Sequence, residues 1–118
     1  MNELVFWSAK RMAEAIRTKE LSSLEVVEAH LQRIDEVNPR LNAVVQLAAE
    51  RAMEKAREAD AALARGEMPG PLHGVPFTVK DSLNTKGVIT TAGTLGRKDS
   101  VPEQDAAAVA RLRAAGAI

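Results

Sequence analysis

A lysine at the end of a short apolar run has the clearest chemical potential in this sequence. Lys80 ends the segment 75–80, where apolar residues recur at every second position, and this period predicts a strand with the lysine opposite the core face. Burial would lower the pKa of a lysine amine, because it disfavours the charged form, and so would provide a general base near neutral pH. Such a base can take the proton of a serine hydroxyl, directly or through a second hydroxyl, without a histidine. The residue types leave an alternative open, in which Lys80 and Asp81 form a solvated strand end.

Other common catalytic and binding motifs are missing from the sequence. His30 and His73 lie far apart without carboxylates at ligand spacing, and there are no cysteines, so we predict no metal site. His30, beside an apolar helical stripe, is interpreted as a partly buried packing residue. The run from Gly74 to Lys80 lacks the glycine–lysine pair and following helix of a phosphate-binding loop, and no serine has the flanking glycines of a nucleophile elbow. Ser82 is the hydroxyl nearest to Lys80 in sequence, and residues two apart could face the same way.

Composition indicates an ordinary globular protein. Of 118 residues, 46% are hydrophobic and 27% charged, with a formal net charge of +0. A chain of this length makes one domain with a modest core, and a neutral charge argues against direct nucleic-acid binding or an anionic membrane surface. No apolar run approaches the length of a membrane span, and the N-terminal residues do not resemble a signal peptide. We therefore predict a cytoplasmic protein.

The first part of the sequence has the pattern of two helices. Asn2 can cap the first, which carries an apolar face at helical spacing. The second has a clear start signal, because Ser22 and Glu25 form a capping box. It is predicted to end near Asn38, since Pro39 disfavours the helical conformation of the residue before it.

The next segments predict a strand and a third helix. Residues 42–46 are β-branched and flanked by turn residues, which favours a short strand. Residues 47–63 are rich in strong helix formers, with small residues on one face and charges that are interpreted as a solvated surface. Gly66 is predicted to end this helix.

The last part of the sequence predicts a loop, a helix and a return to a strand. Residues 88–89 could form a small strand, and a final helix is predicted to open at 102–103 or with Asp105 as its cap. Gly116 should end that helix, and 117–118 look like the first step of another strand. Strands separated by helices indicate the α/β class.

Several ordered motifs closely resemble the N-terminal part of the amidase signature enzymes. The Glu20-Leu-Ser-Ser23 helix start and the Asn38-Pro-Arg-Leu-Asn-Ala43 connection fit the same pattern, and the resemblance covers essentially the whole chain in order. The motifs that carry it are Leu72-His-Gly-Val-Pro-Phe-Thr-Val-Lys-Asp81, Thr85-Lys-Gly87, Thr90-Thr-Ala-Gly-Thr94 and residues 105–118.

The resemblance implies a reaction and a fold. Members of this family hydrolyse amides, or release ammonia from an amide for transfer, through a serine–serine–lysine triad without a metal or an organic cofactor. The triad base corresponds to Lys80, and the substrate would be a small-molecule amide. The implied fold is α/β, with several helices packed on a few short strands of a larger mixed sheet.

The resemblance also implies that this chain is incomplete as an enzyme. The glycine- and serine-rich signature that carries both triad serines lies beyond Ile118 in the family. Residues 1–118 are therefore predicted to be a single incomplete domain, the N-terminal portion of an amidase signature domain, and to be inactive alone. Surfaces that the remaining chain would cover predict self-association.

Two alternatives stay open at the level of sequence. One is the ammonia-releasing subunit of a glutamyl- or aspartyl-tRNA amidotransferase, which shares the N-terminal pattern. The other is a non-catalytic truncated relative that serves as an interaction module, in which Lys80 would be dispensable.

Overall fold

Four α-helices and two 3₁₀ turns form the regular structure of the residues that are described. The structure is a computed structural model that describes residues 3–67 and 70–118. The predicted cap Asn2 and the first two residues of the turn predicted at 68–71 lie outside the described residues. In chain order the elements are a 3₁₀ turn Glu3–Phe6, α1 Ala9–Arg17, α2 Ser23–Leu41, α3 Ala49–Ala64, a 3₁₀ turn Leu95–Arg97 and α4 Ala107–Ala114.

The starts of α1 and α2 are fixed by serine caps. The hydroxyl of Ser8 accepts the Arg11 amide at 3.2 Å, so α1 begins after Ser8 rather than near the N-terminus. The capping box of α2 is confirmed: the Ser22 amide donates to the Glu25 carboxylate at 2.7 Å, and the Glu25 amide donates to the Ser22 hydroxyl at 3.1 Å. Both bonds satisfy donors that the first helical turn leaves without partners.

The predicted end of α2 near Asn38 is wrong, because the helix continues through Pro39 to Leu41. Asn42 then adopts the left-handed conformation and donates its amide to the Asn38 carbonyl at 2.7 Å. The Asn38 side chain also binds both backbone groups of Val44, at 2.9 Å each. These bonds stabilise a last helical turn that the proline preference alone disfavours.

Helices α3 and α4 end at the glycines predicted to terminate them. Beyond α3 and α4, Gly66 and Gly116 have φ of 82° and 93°, and their amides bind carbonyls of the last helical turn. The amides of Glu67 and Ala117 then bind carbonyls one residue further back, which completes a Schellman motif at each end. Helix α3 itself begins two residues later than predicted, at Ala49.

The core lies where α1, α2, the N-terminal 3₁₀ turn and the start of the 75–80 segment meet. Helix α2 contacts α3 and the 3₁₀ turn, and fully buried Ala56 lets α3 approach closely, as its small-residue face predicts. The buried residues of this core are Leu4, Met12, Ile16, Val26, Ala29 and Val75.

The predicted short strands are not confirmed, because residues 3–67 and 70–118 contain no strand. Within 42–46, Asn38 occupies both backbone groups of Val44, which are then unavailable to a neighbouring strand. Within 88–89, the Val88 amide binds the Thr85 carbonyl and the Val88 carbonyl accepts the Thr90 hydroxyl. Local side chains and turns therefore replace sheet pairing in both segments.

Segment 75–79 is extended and has the beginning of a parallel pairing with residues 116–118. The Ile118 amide donates to one residue of the segment, and its carbonyl accepts from another two positions later, which is the pattern of a parallel ladder. The contact is too short to form a strand within the described residues. Its bonds are Gly74 N to Gly116 O (2.9 Å), Ile118 N to Val75 O (2.8 Å) and Phe77 N to Ile118 O (2.8 Å).

Among the described residues, no helix combines the length and apolar character that crossing a membrane requires. The cytoplasmic location stays a prediction.

Candidate active site

Lys80 lies at the end of the extended segment, just after the backbone bonds that join this segment to residues 116–118. Its carbonyl accepts the Leu83 amide at 2.9 Å, which turns the chain directly after the lysine. Its side chain is exposed, which agrees with the solvated alternative and not with a buried lysine. Within the part of the chain that the structure describes, the Lys80 ammonium has no hydrogen-bond or ion-pair partner. The lysine thus projects from a fixed backbone into open space.

The next residue, Asp81, connects this backbone to the turn at 91–94. The Thr91 amide donates to the Asp81 carboxylate at 2.9 Å, and the Thr91 hydroxyl donates to its second oxygen in a short hydrogen bond. The Asp81 carbonyl also accepts the Ala92 amide at 2.9 Å. Hydrogen bonds from the Thr91 hydroxyl and amide, together with the nearby Arg97 guanidinium, hold the pKa of Asp81 below its usual range.

The turn that Asp81 holds has an unfavourable backbone. Ala92 and Gly93 have φ of 51° and 73°, and the Thr94 amide closes the turn on the Thr91 carbonyl at 3.0 Å. For alanine the left-handed conformation costs about 1–2 kcal/mol, so the surrounding bonds must impose it. The Thr91 hydroxyl contributes by accepting the Gly93 amide at 3.0 Å.

Residues 84–106 form a loop that is closed by bonds between distant positions. The amide of buried Thr90 donates to the Ser100 carbonyl at 2.9 Å. Asp105, predicted as a possible cap of the last helix, is not one: α4 begins at Ala107 without a side-chain cap. Its carboxylate instead accepts the Lys86 amide at 2.7 Å and lies 3.2 Å from the Arg113 guanidinium. Asp105 therefore fastens the loop to the helix that follows it.

The turn at residues 72–75, which leads into the site, packs closely against α2. Gly74 has φ of 79°, and a Cβ there would come 2.8 Å from the Cβ and Oγ atoms of Ser23. The Ser23 hydroxyl donates to the Gly74 carbonyl at 2.7 Å, in a fully buried contact. A side chain larger than hydrogen does not fit at this position.

Neither histidine has the surroundings of a metal ligand. Buried His73 donates from Nε2 to the Ala59 carbonyl at 2.8 Å, which fastens the same turn to α3. Partly buried His30 lies with Nδ1 2.7 Å from the Val26 carbonyl, in agreement with its predicted packing role. Residues 3–67 and 70–118 contain no group of three histidine or carboxylate side chains placed to hold a metal ion.

Comparison with known proteins identifies the family of this chain. The family model described as Amidase matches residues 25–118, which include the lysine, its extended segment and the turn that Asp81 holds. This chain belongs to the amidase family.

Amidase relatives resemble the chain throughout its length. It is 42% identical over 116 residues to a Glutamyl-tRNA(Gln) amidotransferase subunit of Carboxydothermus hydrogenoformans, covering 98% of this chain and 24% of that protein. It is 48% identical over 107 residues to the Putative amidase AmiD of Mycobacterium bovis, covering 91% and 22% respectively. The native peptide amidase of Stenotrophomonas maltophilia superposes with a TM-score of 0.84 at 38% identity, over 94% of this chain and 23% of that one. The chain thus spans about a quarter of the length of these amidase-family proteins.

Family membership makes the serines of the chain relevant, and no described serine is paired with Lys80. Ser8 and Ser22 cap helices, and the Ser23 hydroxyl is committed to Gly74. Ser82, the hydroxyl nearest to the lysine in sequence, is exposed and makes no hydrogen bond with it. Within the described residues, Lys80 therefore has no hydrogen-bonded hydroxyl.

Sequence reasoning missed one carboxylate that shapes this region. Asp60, interpreted as part of a solvated face of α3, accepts the amides of Ser23 and Leu24 at 2.7 and 3.1 Å and so caps the start of α2. No local pattern connects Asp60 to Ser23, which is 37 positions away. The contact depends on the packing of α3 against α2.

Proposed function

We propose that this chain supplies the lysine base of an amidase that hydrolyses a carboxylic amide to an acid and ammonia or an amine. The observation that carries the proposal is the placement of Lys80. An unpaired, accessible amine stands at the end of a backbone segment that is fastened upstream to Ile118 and downstream, through Asp81, to the turn at 91–94. A fixed backbone with a free amine is suited to a base that must meet a hydroxyl from another part of the protein.

The proposed reaction follows the serine–serine–lysine scheme. The Lys80 Nζ accepts a proton from a bridging serine, which in turn accepts the proton of the nucleophilic serine. The nucleophilic oxygen then bonds to the amide carbonyl carbon, and the C–N bond breaks as the nitrogen takes the proton back from Lys80 through the bridging serine and leaves as ammonia or an amine. Water hydrolyses the resulting ester and returns the serine hydroxyl. Both serines are expected beyond residue 118, so the 118-residue chain is proposed to be inactive by itself.

Ammonia release from primary amides tests the role of Lys80. The complete gene product and the 118-residue chain would be assayed with benzamide, glutamine and a C-terminally amidated dipeptide. We expect Lys80→Ala in the complete product to lower kcat about 10³-fold, since loss of a positioned base typically costs 10²–10⁴-fold. Lys86→Ala is the matched control, because Lys86 is also exposed and uses only its backbone groups in hydrogen bonds.

Two results would contradict the proposal. Turnover of Lys80→Ala within tenfold of the unmodified protein would remove the lysine from the mechanism and favour a non-catalytic role for this region. Serine-dependent amide hydrolysis by the 118-residue chain would show that the missing hydroxyls are not needed. Circular dichroism of each variant separates loss of chemistry from loss of fold.

A second candidate is the ammonia-releasing subunit of a tRNA-dependent amidotransferase. The 42% identity to a Glutamyl-tRNA(Gln) amidotransferase subunit over nearly the whole chain favours it. Preference for glutamine over benzamide and the dipeptide amide, with a partner protein that copurifies, would support this candidate. Efficient hydrolysis of the other two amides by the isolated protein would support the stand-alone amidase.

A further inference from the structure

Asp81 holds a distant turn with both its side chain and its own backbone carbonyl. Its side chain accepts both the amide and the hydroxyl of Thr91, ten positions later, and its carbonyl accepts the Ala92 amide. The other described carboxylates that accept distant amides, Asp60 and Asp105, each bind through the side chain only. Asp81 is also the residue that directly follows Lys80.

The bonds to Asp81 hold the turn at 91–94 in a conformation that is unfavourable for its residues. Ala92, which has a Cβ, stays at a positive φ beside Gly93. The bonds from Thr91 and Ala92 to Asp81 determine this geometry, and the turn in return limits the movement of Asp81. Because the Thr91 hydroxyl and amide and the Arg97 guanidinium hold the pKa of Asp81 low, this link is charge-assisted near neutral pH.

Lys80 therefore lies between two attachments of its own backbone. Upstream, the Phe77 amide donates to the Ile118 carbonyl at 2.8 Å. Downstream, the link from Asp81 to Thr91 and Ala92 follows the lysine immediately. The flexible lysine side chain starts from a Cα that can shift little in either direction, which determines the region its amine can reach.

We propose that Asp81 is a positioning residue for the amidase reaction, which acts by fixing the backbone that carries Lys80. The inference rests on the proposed function, because it gives Asp81 a role only if Lys80 is the base. Asp81 need not touch the substrate. Removing its link should let Lys80 drift relative to the hydroxyl that it serves, and a misplacement of about 1 Å can cost 10²-fold in rate.

The test compares three variants of the complete gene product for benzamide hydrolysis, with rates expressed per folded molecule. Asp81→Ala is expected to lower kcat about 30-fold with KM within about twofold, the pattern of an interaction that acts on the chemical step. Asp81→Asn keeps an acceptor for the Thr91 amide and should lose less. Thr91→Val, which removes only the hydroxyl, should also lower kcat and carries the test if Asp81→Ala does not fold.

A matched control separates positioning from general stability. Asn38 also holds a distant turn, through two bonds to Val44, but it lies at the end of α2 and away from Lys80 in the chain. Asn38→Ala is expected to lower the melting temperature while leaving kcat per folded molecule within about twofold. If Asp81→Ala and Thr91→Val behave like Asn38→Ala, Asp81 is purely structural and the inference is overturned.

The Lys80→Ala variant separates failure of the positioning role of Asp81 from failure of the proposed function. Loss of turnover in Lys80→Ala with unchanged kcat in Asp81→Ala overturns the inference and keeps the proposed function. Retained turnover in Lys80→Ala overturns the proposed function and the inference with it.

Discussion

The helical region, residues 3–64, and the loop region, residues 70–106, satisfy their backbone groups in different ways. In the helical region most amides bind carbonyls three or four residues away, and side chains cap the starts of α1 and α2. In the loop region short turns of the same kind are combined with bonds that join distant positions, as between Thr90 and Ser100 or between Asp81 and Ala92. The candidate base lies in the second region. A fixed position for Lys80 therefore depends on loop closures, while the helices supply the surface on which those loops rest.

The largest loss of stability is expected at Gly74, where the helical region and the loop region meet. Gly74→Ala would place a methyl group 2.8 Å from Ser23 at a φ of 79°. We expect a loss of about 3 kcal/mol in the free energy of unfolding, from left-handed strain and overpacking together.

Gly66→Ala is the control for Gly74→Ala. Gly66 has nearly the same φ, 82°, but faces open space, so the substitution adds strain without a clash. Its expected cost is about 1 kcal/mol. Urea unfolding of both variants measures the difference, and equal losses would contradict close packing between the regions.

A smaller loss of stability is expected at Asp60. It tests whether the helices of this region depend only on contacts between residues that are close in sequence. Asp60→Ala removes the acceptor of two amides at the start of α2 and should cost about 2 kcal/mol, since hydrogen bonds to charged groups contribute 1.5–3. Ser22→Ala, which removes the local cap, should cost about 1 kcal/mol.

Exposed Asp35, in the middle of α2, provides a baseline for Asp60→Ala. Asp35→Ala should stay within about 0.5 kcal/mol, as is usual for surface substitutions. Thermal unfolding ranks the three variants. A loss for Asp60→Ala no larger than for Asp35→Ala would show that α2 does not need the contact with α3.

The smallest expected effect is the change in stability with pH that results from protonation of Asp81. Its pKa is lower in the folded protein than in the unfolded chain, so the folded state binds fewer protons. Its contribution to stability is present above the unfolded pKa of about 3.9 and is lost as the pH falls through the folded value. Urea unfolding between pH 7 and pH 2.5 should show a smaller acid loss for Asp81→Asn than for the unmodified chain.

Glu25 offers the same comparison in the helical region. Hydrogen bonds from the Ser22 amide and hydroxyl lower its pKa, so its contribution has the same sign and is lost over a similar acid range. Glu25→Gln should therefore reduce the acid loss as well. An acid loss in Asp81→Asn equal to that of the unmodified chain would show that the Asp81 link contributes nothing to folding.

The parts of the fold that could be predicted from sequence depend on nearby residues. The capping box of Ser22 and Glu25 and the helix end at Gly116 were predicted, because the residues that make them lie within a few positions. The end of α2 was misplaced by three residues, because the bonds from Asn38 to Val44 outweigh a preference of the residue before proline.

The sequence identified the candidate base, Lys80, but predicted less of the contacts that surround it. Alternation along 75–80 predicts a strand with Lys80 at its end, but the described residues contain no strand, and this segment only begins a parallel pairing with residues 116–118. The link from Asp81 to Thr91 and the role of Asp60 were not predicted, because each depends on how distant segments pack. The exposure of Lys80 corresponds to one of the two alternatives that the residue types leave open. Self-association of the chain stays a prediction.

The bond between Phe77 and Ile118 has a kinetic consequence. It closes a loop of about 40 residues, and a loop of this length carries an entropic cost that must be met before the contact contributes stability. The helical region can form as soon as its own residues leave the ribosome. The backbone of Lys80 must wait for residue 118, so Lys80 is expected to be among the last groups of this chain to reach its final position.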